Sequence, residues 1–144
     1  MEINKILKNI PDKQFRWKGT TSLKWKEDVF NFFKDKQIEN VLEIGTNQGW
    51  TSYLFSFISN NVYTIEYDYY NLQEAKKHCY GLNNINFIYG DAYNDKTYKT
   101  LPSYLDGVII DCVHDYEHVN MDIDNALKYS PDYLIFDDYG LEPK

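Results

Sequence analysis

Val41-Leu42-Glu43-Ile44-Gly45-Thr46-Asn47-Gln48-Gly49-Trp50 is an apolar strand that runs into a glycine-punctuated turn and then directly into an amphipathic helix. Gly45 and Gly49 lack a Cβ, so the chain can turn sharply here and a ligand can approach the main chain closely. The helix that follows points its free N–H groups at the same spot. Glu66 ends the next strand 21 residues after Gly45, about where a carboxylate meets the two hydroxyls of a ribose. Together the two elements describe the site of an adenosine-type ligand in an α/β protein.

Outward from that turn, short apolar strands alternate with helical periodicity. The spacing predicts a helix from Ser22 to Lys36, buried through Trp25, Val29, Phe32 and Phe33 and capped by hydroxyls among Thr20, Thr21 and Ser22. Strand one runs from Asn40 to Ile44. In the next helix, Trp50 to Ser59, the residues Trp50, Tyr53, Leu54, Phe57 and Ile58 fall at i, i+3, i+4, i+7 and i+8. Strand two is Val62 to Glu66, followed by a helix from Tyr70 to Tyr80 that buries Leu72, Ala75 and Cys79 and stops at Gly81. Strand three is Ile85 to Tyr89, and a short helical piece from Lys96 to Tyr104 leads to strand four, Gly107 to Asp111. A helix from Tyr116 to Tyr129, buried through Val119, Ile123, Ala126 and Leu127, precedes strand five, Tyr133 to Phe136. Such alternation implies a parallel sheet with right-handed crossovers and helices on both faces. The 144 residues fit a single domain, with a polar leader and helix in 1–38 and the core in 39–144.

Composition narrows the function. With 22 acidic against 15 basic residues the net charge is −7, so the electrostatic footprint for nucleic acid or an anionic membrane is missing. A mild basic cluster at Lys13, Arg16, Lys18, Lys24 and Lys26 reads as a solvated surface. No apolar run reaches transmembrane length, and the start has no signal-peptide pattern, so the chain is expected in the cytoplasm. Cys79 and Cys112 are not in a metal or redox spacing and read as small reduced core residues. His78 and His118 read as helix-surface residues without a role.

The acidic residues gather at strand ends: Glu66, Asp91, Asp111 and Asp137. Ligands of open α/β sheets bind outside those ends. IIDCVHDYEH brings Asp111 and, three residues on, His114, while LIFDDYG brings Asp137 and Asp138 from the expected neighbouring strand. Parallel strands lie about 4.8 Å apart, so these carboxylates converge within reach of one hard cation, and without a cation they repel one another. The competing reading is structural. Asp111 or Asp115 can cap the following helix, Asp138 can hold a turn before Gly140, Asp91 can cap a short helix, and His114 can be an ordinary loop histidine.

VLEIGTNQG and TIE resemble the first two motifs of class I S-adenosylmethionine (SAM) dependent methyltransferases, with Asn47 where the middle glycine often stands. Asp111, His114, Asp137 and Asp138 resemble the metal-dependent branch that methylates hydroxyls of sugars and other small molecules. That likeness covers roughly Val41 to Gly140. It implies a Rossmann-like fold with strand order 3-2-1-4-5, and SAM held by Glu43, Gly45, Thr46, Asn47, Gly49, Glu66, Tyr67, Asp91, Ala92 and Asp111. It further implies Mg²⁺ or a similar ion on Asp111, Asp137 and Asp138, with His114 and Asp111 catalytic. Glu43 would orient the methionine part and Glu66 the ribose, while the metal lowers the pKa of the acceptor hydroxyl and His114 takes its proton. Family members continue after strand five with further strands, and the resemblance implies that a sequence ending at Lys144 is truncated before them. An open fifth strand, and hence a homo-oligomer, is the expectation. Two other classes fit the same residues: a non-catalytic SAM or nucleoside binding module or subunit, and a different enzyme on this fold, such as a dehydrogenase or a SAM-cleaving enzyme.

Overall fold

The computed structural model describes residues 3–11, 22–113 and 115–137. Five strands, β1 (Asn40–Ile44), β2 (Asn61–Glu66), β3 (Ile85–Tyr89), β4 (Gly107–Ile110) and β5 (Tyr133–Phe136), form one parallel sheet in the order β3-β2-β1-β4-β5. The expected strands and the expected order are present. Chain direction reverses its march between β1 and β4, which opens a crevice at the carboxyl ends of these two central strands.

Among the described residues five α-helices accompany the sheet: α1 (Ile3–Leu7), α2 (Leu23–Phe33), α3 (Trp50–Phe55), α4 (Tyr69–His78) and α5 (Tyr116–Leu127). Glu43 lies opposite Thr64 and Ile109 in the register, so by the two-residue period of a strand Val41, Glu43, Val62, Thr64 and Ile109 share one face. On that face Val29 and Phe33 of α2 pack with Val41, Phe55, Val62 and Ile109. Beside them Ile6, Leu7 and Ile10 meet Phe30, Trp50, Tyr53, Leu54 and Cys79. The opposite face buries Leu42, Ile44, Ile65, Val108 and Ile110 under Ala126 of α5 and under Tyr98 and Leu105. Tyr98 belongs to a 3₁₀ helix, Asp95–Thr100, where a short helical piece is expected.

Four local expectations change. The leader is not simply polar: Ile6, Leu7 and Ile10 are buried, and Asn9 Nδ2 donates to the Tyr53 hydroxyl at 2.9 Å. The buried stripe of α2 is Lys26, Val29, Phe30 and Phe33, one position round from the predicted Trp25, Val29, Phe32 and Phe33. Phe32 is 54% exposed and lies edge-on to Phe33 and Tyr133, with the Lys36 ammonium 4.4 Å above its ring. The helix after the glycine turn ends at Phe55 rather than Ser59. There the Ser56 hydroxyl bonds Tyr53 O at 2.7 Å and the Ser59 hydroxyl bonds Phe55 O at 2.8 Å, a side-chain alternative to the helical ladder. Leu127, expected inside, is exposed at the end of α5.

Candidate active site

The turn after β1 is built on three positive-φ residues, Gly45 (φ 101°), Asn47 (φ 47°) and Gly49 (φ 80°). A Cβ on Gly45 would lie 2.0 Å from the carbonyl oxygen of Asp111, and one on Gly49 2.8 Å from the Cβ of Ala75. Gly45 therefore lets the β4 end pass over the turn, and Gly49 lets α4 close against α3. Asn47 explains the departure from the glycine pattern, because asparagine tolerates the left-handed region better than other side chains with a Cβ. Gly45 N and Thr46 N both donate to Ile65 O at 3.1 Å, which ties the turn to β2.

Glu66 completes the turn from the other side. Its Oε2 accepts from Asn47 N at 2.6 Å and its Oε1 from Asp68 N at 2.8 Å. Each oxygen keeps a lone pair for a further donor, and the carboxylate is fixed before any ligand arrives. Next to it opens a pocket of about 330 Å³ lined by residues including Gly45, Glu66, Tyr67, Asp91, Ala92 and Tyr93, with Cys112 and Val113 from the β4 end. Tyr67 is exposed at its rim. Asp91 Oδ1 accepts from Tyr93 N at 2.9 Å, so its turn-forming role and its place in the pocket coexist. A larger polar groove of about 660 Å³, lined by Lys34, Gln37, Glu39 and Asn60 among others, lies away from this site, beside the loops that lead into β1 and β2.

Behind the turn a buried polar relay runs across the sheet. Glu43, 1% exposed, accepts from the Ser52 hydroxyl and, at 2.6 Å, from the Thr64 hydroxyl. Thr64 has one proton and gives it to Glu43, so the 2.5 Å contact between the Thr46 and Thr64 hydroxyls is donated by Thr46. Burial pushes the Glu43 carboxyl up to about 7, against the Ser52 and Thr64 hydrogen bonds and the charge of Lys26. Its Oε1 has no hydrogen-bond partner among the described residues. Thr46 is buried, whereas Asn47 is half-buried at the turn.

At the neighbouring strand ends, Ile110 pairs with Phe136, so Asp111 and Asp137 stand side by side one residue further on. Asp111 N bonds Ile44 O at 3.0 Å and Asp137 N bonds Ile110 O at 3.4 Å. His114 and Asp138, the other two members of the expected constellation, lie outside the described residues. Sequence reasoning missed the residue that joins this group from below. Lys26 of α2, taken as solvated surface, is 1% exposed on the face that carries Glu43. Burial lowers its ammonium to about 8 while Asp137, Asp111 and Glu43 pull it upward. Among the described residues no three or more His, Cys, Asp and Glu gather as a metal site. Of the expected ligands the described residues supply only Asp111 and Asp137, and two carboxylates with an ammonium acting on them fall short of the oxygen cage of Mg²⁺.

One further assignment changes and one is decided. His78 is no idle surface residue: it is half-buried, its Nδ1 lies 2.9 Å from Gln48 O, and its ring stacks on Trp50 at 4.3 Å, so it braces the glycine turn. Asp115 takes the capping role, accepting from His118 N at 2.9 Å and pairing with the His118 ring at 2.6 Å. Asp111 stays with the strand ends. The signal for Asp115 was its place at the start of the helix; no signal in the sequence marks Tyr93 or Val113 as pocket lining.

Residues 42–139 match the family described as methyltransferase domain. That span is more than half of the chain, and the protein belongs to this family. No curated protein sequence matches it. Among solved structures, the S-adenosylhomocysteine-bound methyltransferase of Podospora anserina is similar with a TM-score of 0.69 at 19% identity, covering 89% of this chain and 62% of that one. Aeropyrum pernix fibrillarin with natively bound S-adenosyl-L-methionine has a TM-score of 0.57 at 24% identity, over 65% of this chain and 42% of that one. The fibrillarin pre-rRNA processing protein of Methanococcus jannaschii gives 0.57 at 26%, over 69% and 42%. The chain therefore spans 62% or less of the length of these three proteins. The sheet they share with it is the Rossmann-like sheet of class I methyltransferases.

Proposed function

We propose that the protein is a SAM-dependent methyltransferase that methylates a hydroxyl oxygen of a small molecule, a sugar being one such acceptor. The observation that carries this reading is Glu66, a carboxylate held by two backbone N–H groups at the edge of the pocket that also exposes the Gly45 turn. Three features of the chain fit the cofactor: the missing Cβ at Gly45, the spare lone pairs of Glu66, and the unpartnered Oε1 of Glu43.

When bound, SAM supplies a methyl group already activated by its sulfonium. The chain's task is then to place the acceptor and to receive a proton. Glu66 would bond the ribose hydroxyls, Asp91 and Tyr67 would border the adenine, and Gly45 and Thr46 would meet the methionine part with their main chain. Asp111 stands at the junction of this pocket with the β4 end and orients the acceptor hydroxyl; His114 takes its proton. The net charge of −7 favours a small neutral or cationic acceptor over a polyanion. The divalent ion that the sequence resemblance implies has no step in this reaction, because Lys26 already brings positive charge to Asp111 and Asp137.

Calorimetry with SAM and S-adenosylhomocysteine tests the reading. Both are expected to bind, and Glu66→Ala is expected to weaken them by about 1.5–3 kcal/mol through lost charged hydrogen bonds. Unchanged affinity in that variant removes the ribose assignment, and no binding to the parent protein rejects the reading altogether.

A further inference from the structure

Lysine is almost never fully buried unless it is paired, and an ammonium taken out of water carries a penalty of several kcal/mol unless opposite charge meets it. Lys26 is nonetheless 1% exposed, at a position of the α2 stripe otherwise filled by Val29, Phe30 and Phe33. The register explains why it is there. Glu43, Asp111 and Asp137 fall at corresponding alternate positions of β1, β4 and β5 and their ends, on the face that α2 covers. Three acids of like charge collect on one patch of sheet, and α2 is the element laid across it.

We infer that Lys26 is the resident cation of the acceptor end, balancing Asp111 and Asp137 so that the pair works without a divalent ion. The opposing pulls on its ammonium, downward from burial and upward from Asp137, Asp111 and Glu43, agree with that placement. A lysine does this differently from a metal. It is a point charge on a flexible stem with no open coordination position, so it balances the carboxylates without binding the acceptor oxygen itself. Lys26 is thus a positioning residue acting through Asp111. The inference rests on the methyl-transfer reading for the identity of the site, and the test is arranged so that the two fail separately.

Mn²⁺ is the probe, followed by its paramagnetic resonance signal with the full chain and no acceptor. The parent protein is expected to leave Mn²⁺ free into the millimolar range and to bind S-adenosylhomocysteine equally well with and without chelator. Lys26→Met, of similar length but without charge, uncovers the two carboxylates and is expected to gain Mn²⁺ affinity by about tenfold or more. Lys26→Arg keeps the charge and is expected to behave as the parent does. Micromolar Mn²⁺ binding by the parent overturns the inference, as does a folded Lys26→Met with no gain. Should Lys26→Met not fold, adding Asp137→Asn relieves the unbalanced charge and is expected to restore folding; a double variant that stays unfolded also overturns it. Loss of S-adenosylhomocysteine binding in the parent rejects the methyl-transfer reading alone, since the Mn²⁺ comparison needs no cofactor.

Discussion

Asp122 is a side chain whose placement costs the fold stability. It is fully buried on α5, and neither carboxylate oxygen has a hydrogen-bond partner among the described residues. Burial raises its carboxyl to about 6, with the His118 charge opposing. The folded state therefore holds this proton more tightly than the unfolded chain, whose aspartate titrates near 3.9. Stability from this group is fully present below about pH 4 and is lost as pH rises through about 6. Asp122→Asn is expected to flatten that slope and to raise stability near pH 8 by about 2–3 kcal/mol. Urea unfolding of both proteins at acid and alkaline pH measures it; parallel pH profiles would reject the assignment. In the sequence Asp122 and Asp124 look alike, two acids two apart in MDIDNAL. Only the helix start fixed by Asp115, and the burial of Ala126 four residues on, say which of them faces inward.

Helix α2 shows where periodicity misleads. A stripe sought among apolar residues takes Trp25 and Phe32 and passes over Lys26, because a charge inside the core is not expected from pattern alone. The true stripe keeps perfect i, i+3, i+4, i+7 spacing once Lys26 is admitted. What licenses that lysine is three acids distant in sequence, on β1 and beyond the ends of β4 and β5. The strands were legible for the opposite reason: each is a short apolar run closed by glycine, asparagine or an acid, and none depends on a remote partner for its identity. The glycine turn was equally legible, and its tolerance can be measured. Gly49→Ala places a Cβ at φ 80° and 2.8 Å from the Ala75 Cβ. A left-handed alanine costs about 1–2 kcal/mol, and the crowding between α3 and α4 adds about 1–3 kcal/mol. Adding Ala75→Gly is expected to recover the crowding part only, so thermal unfolding of the single and double variants separates conformational strain from packing. Equal melting of all three proteins would show that the turn adapts.

In the molecule taken together, the sheet is covered by α1, α2, α3 and α4 on one face and by α5 on the other, and β3 and β5 are its two edges. Among the described residues β5 pairs on one side only, and all four of its residues are half-buried. An unpaired strand of this kind invites a partner, and a second copy of the chain offers the same strand in a two-fold arrangement. Light scattering is expected to give twice the mass of one chain; a single-chain mass at high concentration would count against it. The contact between Gly45 and Asp111 has a different consequence. There the turn after β1 and the end of β4 meet through main chain alone, so no rotamer change can absorb a shift of either. On the proposed reading, donor and acceptor sites are in effect machined from one piece. On the same reading, a lineage that explores new acceptors on this frame is closed off at position 45 and at the β4 terminus, and has to vary exposed side chains such as Val113 and Tyr116, which flank the proposed base without replacing it.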